Sequence, residues 1–197
     1  MTDVQSARVL ASGATPLTES EARGIDPDAR LVAEARRDRE RFVGLYERYF
    51  ERVHRYIRMR VRDRAASEDV TSEVFVTALA NLDHFRGTGS FSAWLFRIAQ
   101  NSVRDHQRNL GVQEGEGVLA DLVDPAVDPE RQVLRRAALR ELLDGLSSEQ
   151  QDLVGLRYGA GLRCVEIGEV LGKSPGAVRV ELHRILNHLR RRYDRER

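Results

Sequence analysis

The chain has 197 residues, 41% of them apolar, with 32 basic and 31 acidic side chains that leave a net charge of +1. That length supports a real core, while no apolar run approaches the roughly 20 residues of a membrane span and the N-terminus lacks the basic start and apolar stretch of a secretory signal. A single cysteine, Cys164, excludes an internal disulfide and a multi-cysteine zinc cluster, so a soluble protein of the reducing cytoplasm is expected.

The charges are unevenly placed. Residues 1–38 carry 5 basic and 7 acidic side chains, 39–109 carry 13 and 9, 110–130 carry 0 and 6, and 131–197 carry 14 and 9. Two basic modules joined by an acidic strap match the apolar periodicity, which also falls in two blocks, and together they predict an all-α chain of two small helical domains. Lys173 is the one lysine; the planar arginine fork suits phosphate and guanine, although GC-rich coding produces the same bias.

Residues 1–38 mix small, polar and acidic residues with two prolines and show little periodicity before about Ala29, which predicts a flexible tail with a helical end. The first domain is expected over 39–109. From Arg39 to about Arg62, Phe42, Leu45, Tyr46, Tyr49, Val53, Tyr56 and Ile57 recur at helical spacing, with Arg48, Arg52, Arg55 and Arg58 largely elsewhere on the wheel. Asp63 then caps a second helix to about Leu82, striped by Val70, Val74, Ala78 and Leu82, with Glu68, Asp69 and Glu73 near its start. Asp83-His-Phe-Arg-Gly-Thr-Gly-Ser90 breaks the pattern, and Ser90 is placed to cap a third helix from Phe91 to about Asn109. There Phe91, Trp94, Leu95 and Ile98 face inward, while Arg97, Gln100, Asn101, Arg104 and Arg108 follow on later turns.

Residues 110–129 read as an extended acidic linker, and Asp128-Pro129-Glu130 opens the second domain, 130–197. Leu134, Ala138, Leu142 and Leu143 pattern a helix to Gly145, and Ser147-Ser-Glu-Gln150 is a capping box for the next, which carries Leu153, Leu156 and Tyr158. Leu162 to Gly172 form a short helical pattern that Gly172 should end, with Cys164 a small buried residue in it. After the turn, Ser174 caps and Pro175 opens a helix striped by Val178, Leu182, Ile185 and Leu189, whose other side carries Arg179, His183 and Arg184. The pair is a helix-turn-helix, whose second helix would read a major groove; an ordinary helical hairpin with a solvated basic face is the plainer alternative.

Read together, the two modules resemble the extracytoplasmic-function group of the sigma-70 family, the bacterial RNA polymerase initiation factors. The residues that carry the resemblance are Leu45-Tyr-Glu-Arg-Tyr49, Glu68-Asp-Val-Thr-Ser-Glu-Val-Phe75, Asp83-His-Phe-Arg-Gly87, Ser90-Phe-Ser-Ala-Trp-Leu-Phe-Arg-Ile-Ala-Gln-Asn101, Leu146-Ser-Ser-Glu-Gln150 and Ser174-Pro-Gly-Ala-Val-Arg179. The resemblance implies sigma region 2 in the first domain and region 4 in the second, with partners in core RNA polymerase (the clamp and flap of its large subunit), promoter DNA in duplex and single-stranded form, and a cognate anti-sigma factor.

By the same likeness Asp69, Ser72, Glu73 and Phe75 dock on the clamp, Ser72 standing where the family commonly has glutamine. Phe85, Arg86, Gly87, Ser90, Trp94, Arg97, Asn101, Arg104 and Arg108 recognise and open the minus-ten element. Asn101 suits a base edge and Arg97, Arg104 and Arg108 the backbone charge, whereas Trp94, at the spacing of 91, 95 and 98, reads as a core anchor. Ser174, Arg179, Val180, His183 and Arg184 read the minus-thirty-five element; Val180 and Glu181 replace the family's usual small polar and basic pair, which bears on base preference. The family's linker runs through the polymerase cleft, where the acids of 110–130 can mimic nucleic acid or simply form a soluble tether.

The alternative function is a polymerase-independent helix-turn-helix regulator that binds half-sites as a dimer. Catalysis has only Glu68, Asp69 and Glu73 as material, without a phosphate loop, a nucleophile–base pair or a metal-ligand set among His54, His84, His106, His183 and His188. No enzyme activity, cofactor or metal is expected.

Overall fold

The computed structural model describes residues 26–61, 63–109, 143 and 145–195, and all regular structure among them is helical. Residues 1–25 of the expected tail, the linker 110–129 and the helix expected to start at Asp128, apart from Leu143, lie outside the described residues.

The first helix, α1 (Ala29–Arg37), lies where the segment before residue 38 was expected to end in a helix. Val32 and Ala35 lie one turn apart and are buried, and Asp28 just ahead of them is 1% exposed, accepting a hydrogen bond from the Tyr49 hydroxyl and pairing with Arg48 at 2.9 Å. Its anchorage is partly apolar, through Val32 and Ala35, and partly polar, and the polar part is one that a periodicity search does not register. Asp38 accepts from Glu40 N–H at 3.0 Å and holds Arg39–Phe42 in a 3-10 turn, which delays the expected helix to α2 (Val43–Arg58). Leu45, Tyr49, Val53, Tyr56 and Ile57 of α2 are buried as patterned, whereas Tyr46 remains 40% exposed.

The Asp63 carboxylate accepts from Ala66 N–H at 2.7 Å to start α3 (Arg64–Ala80), and Val70, Val74, Ala78 and Leu82 all pack inward. A short 3-10 turn, Leu82–His84, and the loop to Ser90 lead into α4 (Phe91–Asn109). There Ser90 Oγ accepts from Ala93 N–H at 3.2 Å. Edge-to-face pairs tie α2 to α4, Tyr49 with Phe91 at 5.6 Å and Tyr56 with Phe96 at 5.9 Å between ring centroids; such pairs add about 0.5–1.5 kcal/mol beyond area burial.

In the second unit the capping box forms as written, Gln150 N–H donating to Ser147 Oγ at 3.3 Å and Ser147 N–H to Gln150 Oε1 at 3.1 Å. It opens α5 (Ser148–Val154), which runs into one π-helical turn, Gly155–Gly159. Next, α6 (Cys164–Leu171) ends at Gly172, whose φ of 67° supplies the left-handed residue that closes a helix without strain. Ser174 Oγ accepts from Ala177 N–H at 3.2 Å at the head of α7 (Pro175–Arg195), and Val178, Leu182 and Ile185 are buried. The apolar residues of both units belong to one continuous cluster.

Candidate nucleic-acid and polymerase interface

The loop between α3 and α4 has a packed base and an open tip. Phe85 is 6% exposed, its ring 5.7 Å from Phe91 and 5.5 Å from Trp94, so its side chain fills the loop's base and does not point outward. Trp94 is half-buried beside Phe91 at 5.5 Å, a packing position. Arg86, Gly87 and Thr88 are exposed, and Gly87 adopts a φ of 67° that a branched side chain would resist. The tip can therefore approach a base closely with backbone and one guanidinium.

The described geometry closes α4 against the second unit, an arrangement that separate domains on a tether did not anticipate. Glu169 of α6 accepts from Ser90 N–H at 3.0 Å and from Ser90 Oγ at 3.1 Å, while its own backbone carbonyl accepts from Arg97. Glu166 caps its own helix, taking Arg163 N–H at 2.8 Å, and also accepts from Ser92 Oγ. Ser90 and Arg97 are thus engaged within the chain. A carboxylate at the N-terminus of α4 is electrostatically apt, since unpaired amide donors and the helix dipole favour an anion there.

Deeper in the seam stands Asp152 of α5, 1% exposed. It accepts from Tyr56 Oη at 3.0 Å and Gln100 Nε2 at 2.7 Å, and pairs with Arg60 at 3.1 Å and Arg104 at 3.3 Å. Arg60, also 1% exposed, donates further to Gln151 and to Ser148 Oγ at 2.8 Å. Burial, reinforced by the Asp152 charge, pushes the Tyr56 hydroxyl well above its ordinary value of 10, so it stays a donor at any working pH. Arg52 completes the seam with a bond to the Ala160 carbonyl at 2.7 Å. Of the residues expected to touch minus-ten DNA, Arg104 is held by Asp152 and Arg108 by Asp105, whereas Asn101 is exposed.

On α3, Asp69, Ser72 and Glu73 are exposed on one face with Val76, which is 67% exposed. Phe75 is largely buried beside this face. It is 5% exposed and lies beneath Tyr46, ring centroids 4.8 Å apart, so it supports an exposed tyrosine from below. The exposed part of this face is carboxylates beside a half-exposed aromatic and a valine, a combination suited to a basic, partly apolar partner.

On α7, Val180 (51% exposed), His183 and Arg184 face outward and Arg179 is half-exposed. His183 is bonded to Asn187 at 2.9 Å, and Glu181 is occupied by Lys173 at 2.9 Å, an interaction that raises the lysine pKa. The Glu181 carboxylate is therefore paired within the chain. Val180 and Arg184 also border a groove floored by Leu146, Ala177 and Ile185.

No group of histidine, cysteine or carboxylate residues suited to a metal occurs among the described residues, and no described helix is long and apolar enough to cross a membrane. Cys164 is buried in α6.

The chain belongs to the sigma-70 family: the model of sigma-70 region 2 matches residues 45–111 and that of region 4 matches residues 142–191. Its relatives within that family include extracytoplasmic-function RNA polymerase sigma factors. BldN of Streptomyces coelicolor is 39% identical over 76% of this chain and 59% of its own length. ShbA of Streptomyces griseus is 37% identical over 62% of this chain and 69% of its own. Among solved structures, CnrH in complex with the cytosolic domain of CnrY superposes with a TM-score of 0.68 at 26% identity, covering 87% of this chain and all of that one.

Proposed function

We propose that the chain is an alternative sigma factor that binds core RNA polymerase in the bacterial cytoplasm, directs it to particular promoters, and recognises and melts them, with no catalysis of its own. The observation that carries this is the order of two sigma regions on one all-helical chain. Each has its working face on a helix whose start is capped locally. Asp69, Ser72 and Glu73 meet the clamp, the second unit meets the flap, and the tip Arg86–Thr88 with Ser90, Arg97, Asn101, Arg104 and Arg108 handles minus-ten DNA. Ser174, Arg179, Val180, His183 and Arg184 take the minus-thirty-five duplex. The relatives leave the polymerase-independent regulator without support.

Because Ser90, Arg97 and Arg104 are bonded to the second unit, the seam must part before they can serve DNA. CnrH was solved in complex with the cytosolic domain of CnrY, and that match extends across both units of this chain. An anti-sigma factor that holds the closed form is the corresponding partner here.

Run-off transcription with purified bacterial core polymerase on a promoter-fragment library tests the reading. Start sites that need the protein and vanish with Glu73→Arg support it. No core-dependent start sites, together with tight specific DNA binding by the protein alone, would refute it.

A further inference from the structure

We propose that Asp26, Arg36 and Arg39, which lie ahead of the matched sigma regions, are positioning residues that hold the promoter loop 82–90 in its working shape. The proposal rests on that loop being the minus-ten reader. Each of the three side chains reaches backbone at an end of the loop. Asp26 Oδ2 accepts from Phe91 N–H at 2.8 Å, across 65 residues of sequence, and so supplies a second cap to α4 beside Ser90. Its other oxygen accepts from Asp28 N–H at 3.1 Å, which pins the carboxylate to the buried start of α1.

Arg36 grips the opposite end. Its guanidinium donates to the Leu82 carbonyl at 3.2 and 3.3 Å and also to the Phe85 carbonyl, with its carbon 5.9 Å from the Phe85 ring centroid. Arg39 donates to the Leu79 carbonyl at 2.5 Å and to the Asp83 carboxylate at 2.7 Å. The Leu82 carbonyl already accepts from Phe85 N–H at 3.2 Å, and the Arg36 guanidinium adds two further donors to it, so these side chains fasten the turn from outside. The result is a loop clamped at 79, 82, 85 and 91, with only the tip Arg86–Thr88 left open.

Clamping matters for opening DNA. A base that leaves the stack needs a receptor already formed, since ordering backbone at the moment of capture costs about 1–2 kcal/mol per residue. Releasing the clamp transfers that cost to promoter opening without altering the clamp-docking face on α3.

The sign of the Asp26 effect separates this from direct contact with DNA. Removing a carboxylate near a nucleic-acid face raises affinity if only long-range charge acts; removing a cap from the loop lowers opening despite the lost repulsion. The test uses the full chain with core polymerase on a promoter found by run-off transcription. It measures the opening rate by permanganate reactivity of unpaired thymines, and core affinity by fluorescence anisotropy. Asp26→Ala and Arg36→Ala are expected to slow opening about tenfold to a hundredfold, equivalent to freeing one or two residues of backbone, at unchanged core affinity. Asp26→Asn and the half-exposed Arg39→Ala, milder changes to the fold, are expected to act in the same direction.

Faster opening by Asp26→Ala would overturn the proposal. So would a salt slope reduced by about one in Arg36→Ala, which marks a lost phosphate contact, or core affinity falling in step with opening. Unaltered protein that yields no core-dependent start sites would strike the sigma reading itself, and this proposal with it.

Discussion

Replacing Asp152 by alanine strands a buried cation. Arg60 and Asp152 are each 1% exposed, and the donors that converge on the carboxylate, from Tyr56, Arg60, Gln100 and Arg104, all come from the first unit. Breaking a buried pair by removing one partner costs about 3–5 kcal/mol, and the half-exposed Arg104 adds little because water screens it. In the open form water reaches Arg60, so the cost falls on closure and not on either unit. At 1.4 kcal/mol per decade the closed-to-open ratio should fall by about a hundredfold to a few thousandfold. Energy transfer between dyes at Ala80→Cys and Arg190→Cys, both surface positions, reports the separation, and a thermal melt run in parallel reports folding. Asp152→Ala should lower the transfer while helix content persists, and adding Arg60→Ala should restore part of it, because a vacated pair is cheaper than a stranded charge. Unchanged transfer in a folded Asp152→Ala protein would refute the claim that this carboxylate holds the seam.

Glu169→Ala frees the Ser90 amide and hydroxyl. Bonds to a charged acceptor are worth about 1.5–3 kcal/mol, so binding of a single-stranded minus-ten oligonucleotide should strengthen about tenfold, and equal affinity by anisotropy would count against occlusion by α6. Burial pushes the Asp28 carboxyl above its ordinary 3.8, against the Tyr49 hydroxyl and Arg48, which pull it down. The folded form therefore holds the proton more tightly than the unfolded chain, and the stability so gained is present below about pH 3.8 and lost as pH rises through the raised value. Asp28→Asn should remove that decline, seen as a flatter dependence of melting temperature on pH above about 4. Leu182→Ala, at a site 5% exposed, should cost about 2–5 kcal/mol in denaturant melts, whereas Leu186→Ala, 41% exposed, should cost far less; equal losses would place the wrong face of α7 inward.

What was legible in the sequence was local. Asp63, Ser90, Ser147 and Ser174 each sit within three residues of the amide they cap, and Gly172 ends α6 by its own backbone preference, so helix starts and stops followed from neighbours alone. The stripes of α3 and α7 were equally readable because burial repeats at helical spacing. What escaped was polar and distant. Asp152 looks like a surface acid on an amphipathic turn, and its partners lie 48 to 96 residues away. Asp26 and Arg36 sit in a stretch with too few apolar residues to announce a packed element, yet they reach 65 and 46 residues ahead. Phe75 illustrates a third difficulty: a motif position names a residue, but only packing shows that its ring lies largely buried under Tyr46.

The seam between the two units is stitched by carboxylates, guanidiniums, an amide and hydroxyls, with glycines at Gly155 and Gly159 letting Tyr56 and Met59 approach. Parting it hydrates these polar groups together with the apolar residues that run across it as one cluster, and polar and apolar exposure move heat capacity in opposite directions. The two contributions offset in part, so opening should carry a heat-capacity change below that of melting either unit. Ionic strength and binding partners then join temperature in setting the balance between closed and open forms.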